Sequence, residues 1–115
     1  MPSAARERFE AELANARTAN DTEAAWAALT TAHLLAQQWA GPHVRSHVAM
    51  LRQGVAERDA REVAGQLVRI LVAAPGSWRG RTPVGNSGRA DVPLMATAEV
   101  PAHVAALLEP AGPEP

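Results

Sequence analysis

Three histidines in the first half of the chain have a spacing that could bind a metal ion. His43 and His47 stand four residues apart in GPHVRSHVAM, residues 41–50, and His33 precedes His43 by ten. A spacing of four places two side chains one turn apart on the same helix face. Neutral imidazole binds zinc, copper and nickel, while thioether sulfur prefers Cu(I). We therefore hypothesise a transition-metal site of His33, His43 and His47, with Met50 as an optional soft ligand.

Other interpretations of these histidines stay open. H-x-x-x-H arises by chance, and here it lacks the glutamate of the metalloprotease motif. The simpler alternative is exposed or half-buried histidines bonded to nearby polar groups, and a third possibility is acid/base catalysis. If the metal site forms, a carboxylate of the first helix, Glu7, Glu10 or Glu12, is a further candidate ligand. We expect His103 to face solvent, with docking onto the same site as the alternative.

The site requires two neighbouring helices, and the sequence predicts four helices over residues 4–75. We expect helices at 4–18, from about 20 to Trp39, at 42–57 and at 59–74, with Gly41-Pro42 and Pro75-Gly76 as breaks. Apolar residues recur at helical spacing in each. The predicted stripes are Phe9-Leu13-Ala16, Ala25-Leu29-Ala32-Ala36, Val44-Val48-Leu51-Val55 and Val63-Leu67-Ile70-Ala74, the last widened by Val68 and Leu71.

The same pattern of two helices joined by a short turn occurs twice in the sequence. Asp21 and Asp59, which are 38 residues apart, each suit the start of the second helix of a pair. We predict an all-α fold of two antiparallel helical hairpins, similar to tetratricopeptide repeats, whose period is ~34 residues. A short turn near residue 41 would make the second and third helices neighbours and bring His33 level with His47 or Met50.

Two hairpins are fewer than the ~3 that a stable array usually needs, so another segment must cover them. We predict one domain, 1–115, with a four-helix core at 4–75. An irregular covering segment follows at 76–100, then a short helix at 101–109 and a frayed tail at 110–115. Within the covering segment, the Arg-rich loop 79–89 has glycines that could turn amides toward an anion. We expect its arginines instead to pair with helix carboxylates.

Composition excludes several classes of function. The absence of cysteine rules out disulfides, thiolate zinc fingers and iron–sulfur clusters. A net charge of −1 argues against nucleic-acid binding. No apolar run reaches the ~20 residues that span a bilayer, and no signal peptide is evident. We expect a cytoplasmic protein with no membrane or nucleic-acid partner. No catalytic motif stands out, so we lean against an enzyme.

The segments AHLLAQ, GPHVRSHVAML, QLVRILVAAPGS and GRTPVGNSGRADV resemble a small bacterial family of uncharacterised proteins, catalogued as a domain of unknown function. The resemblance covers about residues 5–108. It implies a compact helical fold, and often a gene neighbourhood of metal resistance or metal transport.

Two functions are compatible with these observations. The first is binding of a transition metal, zinc, copper or nickel, in metal homeostasis or resistance. The second is a non-enzymatic interaction module with structural histidines, which would bind a protein partner in a helical groove or associate with itself.

Overall fold

The computed structural model describes residues 1–78, 88–89 and 99–109, and within 72–78 it describes the backbone only. These residues form helices and connecting turns, with no strand in the described ranges, so the all-α prediction is confirmed. None of the helices found there is both long and apolar enough to cross a membrane. The helices are α1 Ser3–Thr18, α2 Thr22–Ala36, α3 Ala40–Ala56, α4 Ala60–Trp78 and α5 Ala102–Leu108.

Consecutive helices pack against each other. α1 contacts α2, α2 contacts α3, and α3 contacts α4, while α5 packs on both α1 and α2. The turns between the first four helices are short, which makes neighbouring helices antiparallel. This packing agrees with the predicted pair of hairpins and puts α5 over the first of them.

The predicted aspartate caps begin the second helix of each hairpin. The Oδ1 atom of Asp21 accepts a hydrogen bond from the backbone N–H of Ala24 at 2.7 Å. Asp59 Oδ1 accepts one from the backbone N–H of Glu62 at 3.1 Å. Each cap satisfies an amide that has no partner within its helix, so the repeat at an offset of 38 reflects repeated local structure.

Three predicted helix ends were wrong. α2 ends at Ala36, and Trp39 has the extended backbone of the N-cap of α3. α3 begins at Ala40, so Pro42 lies in its first turn, where a missing N–H breaks no helical hydrogen bond. α4 continues through Pro75 to Trp78, because loss of one backbone hydrogen bond does not end a helix that continues on both sides.

The first hairpin has an apolar core. Phe9 of α1, Leu35 of α2 and Val104 of α5 are fully buried in one cluster. A second cluster, Trp26, Leu29 and Met50, joins α2 to α3. Burial of each large side chain contributes roughly 1.5–3 kcal/mol. The first cluster therefore holds α1, α2 and α5 together, and the second fixes α3 against α2.

The second hairpin buries polar residues where we predicted apolar stripes, and that prediction was wrong for both helices. The buried residues of α3 are His43, Ser46, His47, Met50 and Gly54. On α4, the buried residues include Glu62, Gln66 and Arg69. The predicted core residues Val55, Leu67, Val68 and Leu71 are 50–79% exposed. Buried polar groups are tolerated when they bond to one another, and several of these do.

The predicted covering segment is described only in part. Residues 76–78 belong to α4, and 79–87 and 90–98 lie outside the described residues, as does the predicted tail 110–115. Gly88 is buried against His33. Arg89 Nε lies 3.2 Å from Glu62 Oε1, which confirms for this arginine the expected pairing with a helix carboxylate.

Candidate metal centre

The structure brings His33, His43 and His47 together in the interior. His33 comes from the last turn of α2, and His43 and His47 come from the first half of α3. All three pairs of Nε2 atoms are separated by 3.1 Å, so the atoms form an equilateral triangle. The residues are 2–6% exposed. The short α2–α3 turn and the spacing of four therefore produce the convergence that the sequence made possible.

This triangle cannot be a complete hydrogen-bond network among neutral imidazoles. A neutral ring nitrogen is either an N–H donor or a lone-pair acceptor, never both. Three mutual contacts therefore bring at least one pair of donors or one pair of acceptors together at 3.1 Å. A metal ion removes this conflict, because all three nitrogens then direct lone pairs at the same cation.

Gln66 fixes the orientation of His47. Its side-chain amide donates to Glu62 Oε2 at 2.9 Å and to the backbone oxygen of Gly88 at 2.8 Å, both of which only accept. The amide nitrogen is thereby assigned, and Gln66 Oε1 must accept from His47 Nδ1, 2.7 Å away. With its proton on Nδ1, neutral His47 presents the Nε2 lone pair to the triangle, as metal-binding histidines do.

The triangle has the dimensions of a three-histidine metal site. Zinc–nitrogen bonds are ~2.0–2.1 Å, so an ion equidistant from corners 3.1 Å apart lies ~1 Å above their plane. The N–metal–N angles are then ~98°, and a regular tetrahedron needs separations of only ~3.3 Å. Movements of a few tenths of an ångström suffice for tetrahedral coordination with one further ligand.

Both histidines of α3 are held neutral, as ligands must be. Burial and, as the smaller cause, electrostatic repulsion from His47 together lower the pKa of His43 from 6.5 to about 3. Burial also lowers the pKa of His47 to about 4; the bond to Gln66 and the charge of Glu62 oppose this shift, and Arg69 reinforces it. Protons therefore compete weakly with a metal for these two nitrogens above pH 5.

Gly88 packs directly on the triangle. Its φ angle is +86°, and a Cβ at this position would lie 2.7 Å from Cδ2 and 2.9 Å from Nε2 of His33. Any side chain would both strain the backbone and press on the imidazole. Gly88 also accepts the hydrogen bond from Gln66, so this one residue both packs on His33 and bonds to the side chain that orients His47.

A charged layer surrounds this network. Glu62, buried on α4, accepts from Gln66 through one carboxylate oxygen and from Arg89 through the other. The guanidinium of Arg89 lies 3.9 Å from the ring centroid of Trp26. Trp26 Nε1 in turn donates to Glu57 Oε2 at 2.7 Å. Three helices and residues 88–89 are thereby connected around the histidines.

Other predicted ligands lie elsewhere or stay untested. Met50 is fully buried and packs with Trp26 and Leu29, so its role as a soft ligand stays a prediction. Of the first-helix carboxylates, Glu10 pairs with Arg45, Glu12 pairs with Arg8, and Glu7 is exposed. His103 is exposed, as expected.

Gln66, Gly88 and Glu62 were not predicted from the sequence as residues of the site. The spacing of four between Glu62 and Gln66 was a signal that both share a helix face. Nothing in the sequence marked that face as buried, because the aliphatic residues of α4 predicted a different one. Gly88 was recognisable only as a glycine able to adopt positive φ.

Comparison with known proteins agrees with the resemblance seen in the sequence. A family model described as a protein of unknown function, DUF3703, matches residues 3–108. No curated protein and no solved structure matches the chain significantly.

Proposed function

We propose that this chain, which belongs to the DUF3703 family, binds one transition-metal ion through the Nε2 atoms of His33, His43 and His47. The observation that supports the proposal most directly is the Nε2 triangle, with its three separations of 3.1 Å. Zinc, copper and nickel are all compatible with imidazole ligands. Without a cation, at least one contact of the triangle is repulsive, whereas a bound cation would attract the lone pairs of all three nitrogens.

The surroundings favour capture, sensing or transfer of the ion over catalysis. The three rings are buried. The neighbouring carboxylate of Glu62 is bonded to Gln66 and Arg89, and we assign no general base. Such a protein would serve metal homeostasis or resistance, where specific holding of an ion is the function itself.

The test is calorimetric titration of tag-free protein with Zn(II), Cu(II) and Ni(II), and with Cu(I) under anaerobic conditions. We expect a stoichiometry of one and a loss of affinity of at least ~100-fold in His47→Ala, because ligands and their supporting contacts each contribute factors of ~10–100. His103→Ala, which removes an exposed histidine far from the triangle in sequence, is the matched control and should bind normally.

Histidine ¹⁵N NMR provides a second readout that tolerates small changes in stability. On adding Zn(II), the Nε2 resonances of three histidines should move together, while His47 Nδ1 keeps its proton. Absence of binding by every ion near neutral pH, or unchanged binding by His47→Ala, would disprove this assignment.

An interaction role is the second candidate function, supported by the exposed aliphatic face of α4. Leu67, Val68 and Leu71 are 50–79% exposed and lie within two turns of one helix. Clustered exposed aliphatic residues often mark association surfaces. Sedimentation at high concentration tests self-association: we expect dimers that Leu71→Glu disrupts, and a monomer at all concentrations argues against them.

A further inference from the structure

A groove of about 330 Å³ lies between α1 and α3, on the opposite side of α3 from the histidines. Leu13 of α1, Leu29 of α2 and Val48 of α3 provide its apolar surface. Leu29 is buried at the base, whereas Leu13 and Val48 are half-buried. The groove thus offers apolar surface to a ligand without any rearrangement of the core.

The charges along the groove are unbalanced. At one end, Glu10 of α1 accepts two hydrogen bonds from Arg45 of α3. Seven residues further along each helix, the corresponding residues are Arg17 and Arg52, which also line the groove. α1 and α3 are parallel, since each is antiparallel to α2, and seven residues advance both by ~10.5 Å. Arg17 and Arg52 therefore lie at the same level, two turns beyond the Glu10–Arg45 pair, with an arginine where Glu10 would have its counterpart.

We propose that this groove binds a small amphiphilic organic anion, a monocarboxylate with an apolar chain. The carboxylate takes the place of the missing acid between Arg17 and Arg52, neither of which has an ion pair within the described ranges. The apolar chain lies on Leu13, Leu29 and Val48 toward the Glu10–Arg45 pair. The site is separate from the metal centre and does not depend on it.

The dimensions select a short chain. A volume of 330 Å³ is at the lower end of the ~300–1,000 Å³ typical of small-molecule sites. Arg17 and Arg52 lie ~10 Å along the helices from the Glu10–Arg45 pair, and this distance accommodates an extended chain of about eight carbons. Guanidinium binds a carboxylate through paired hydrogen bonds, which gives selectivity for the anion over a neutral head group.

The experiment is a titration of the full chain with octanoate to about 10 mM, followed by amide NMR shifts. We expect saturable shifts centred on Arg17, Leu29, Val48 and Arg52. 1-Octanol, which has the same chain without the charge, should bind at least ~10-fold more weakly. Absence of saturable shifts, or equal binding of the alcohol, overturns the proposal.

Variants test the role of the charges. Arg17→Gln/Arg52→Gln should weaken octanoate at least ~10-fold, whereas Arg61→Gln, an exposed arginine on α4, should not. Arg52→Glu should abolish octanoate binding. It should also raise Tm by about 3 °C, because the new carboxylate pairs with Arg17, and this gain should be absent in Arg17→Gln/Arg52→Glu. Unchanged octanoate affinity in Arg17→Gln/Arg52→Gln, or no Tm gain that depends on Arg17, refutes the site. These variants should bind zinc with unchanged affinity, which distinguishes a failure of the octanoate site from a failure of the proposed metal centre.

Discussion

Replacing Gln66 by leucine tests whether the polar interior is built around His47. Gln66 is fully buried and makes three hydrogen bonds, to His47 Nδ1, Glu62 Oε2 and the Gly88 oxygen, at 2.7–2.9 Å. Leucine has a similar volume but can make none of these three hydrogen bonds. Each hydrogen bond lost by a buried group costs ~1–3 kcal/mol, and the buried leucine returns ~1.5–3 kcal/mol. We expect the metal-free protein to lose about 2–5 kcal/mol of stability.

The assay is urea unfolding followed by circular dichroism, with and without Zn(II). Gln38→Leu, an exposed glutamine in the turn after α2, is the matched control and should change stability by less than ~0.5 kcal/mol. In Gln66→Leu the zinc affinity should also fall ~10–100-fold, because His47 loses the acceptor that holds its proton on Nδ1. Gln66→Glu keeps an acceptor for His47 and should retain more of that affinity.

A result near wild type would refute this reasoning. If Gln66→Leu unfolds within ~1 kcal/mol of the natural protein and binds zinc equally well, the three hydrogen bonds do not determine the site. If stability falls while zinc affinity stays unchanged, Gln66 supports the fold without tuning the ligand.

Three further predictions follow from the site. Gly88→Ala should cost about 1–3 kcal/mol and weaken zinc binding, because its Cβ would lie 2.7 Å from the His33 ring at positive φ. Gly41→Ala, with no atom within 4 Å of the new Cβ, is the control and should leave the zinc affinity unchanged. Equal zinc affinities of Gly88→Ala and Gly41→Ala by calorimetry would show that the packing of Gly88 on His33 does not matter for binding. Because burial lowers the pKa of both α3 histidines below 6.5, the unfolded chain binds more protons in acid. The free energy of unfolding of the metal-free protein should therefore fall as the pH drops from about 6.5 toward 4, by up to ~1.4 kcal/mol per pH unit for each histidine. Urea unfolding midpoints that do not change over this pH range would show that His43 and His47 are not held neutral. Met50→Leu should change zinc affinity less than ~3-fold and stability by less than ~1.5 kcal/mol; a selective loss of Cu(I) binding by calorimetry would instead assign the sulfur to the site.

Local sequence signals determined the helices and the histidine pair. Asp21 and Asp59 were recognisable as helix caps because their effect lies within three residues of the chain. The spacing of four between His43 and His47 placed both on one face for the same reason. Helix ends at Trp39 and Pro75 were harder, because packing decides whether a helix stops or passes a weak breaker.

Only the tertiary structure decided which faces of the second hairpin are buried. Val44, Val48 and Val55 predicted an apolar inner face for α3, yet His43 and His47 occupy it. Aliphatic periodicity indicates the inner face only when apolar burial dominates packing, and here hydrogen bonds through Gln66 connect α3 to α4 instead. Two bonds of this network join residues far apart in the sequence: Gln66 bonds to Gly88, 22 positions away, and Glu62 to Arg89, 27 positions away. The convergence of three Nε2 atoms depends on the same long-range packing, because His33 reaches the pair on α3 only once α2 and α3 lie side by side.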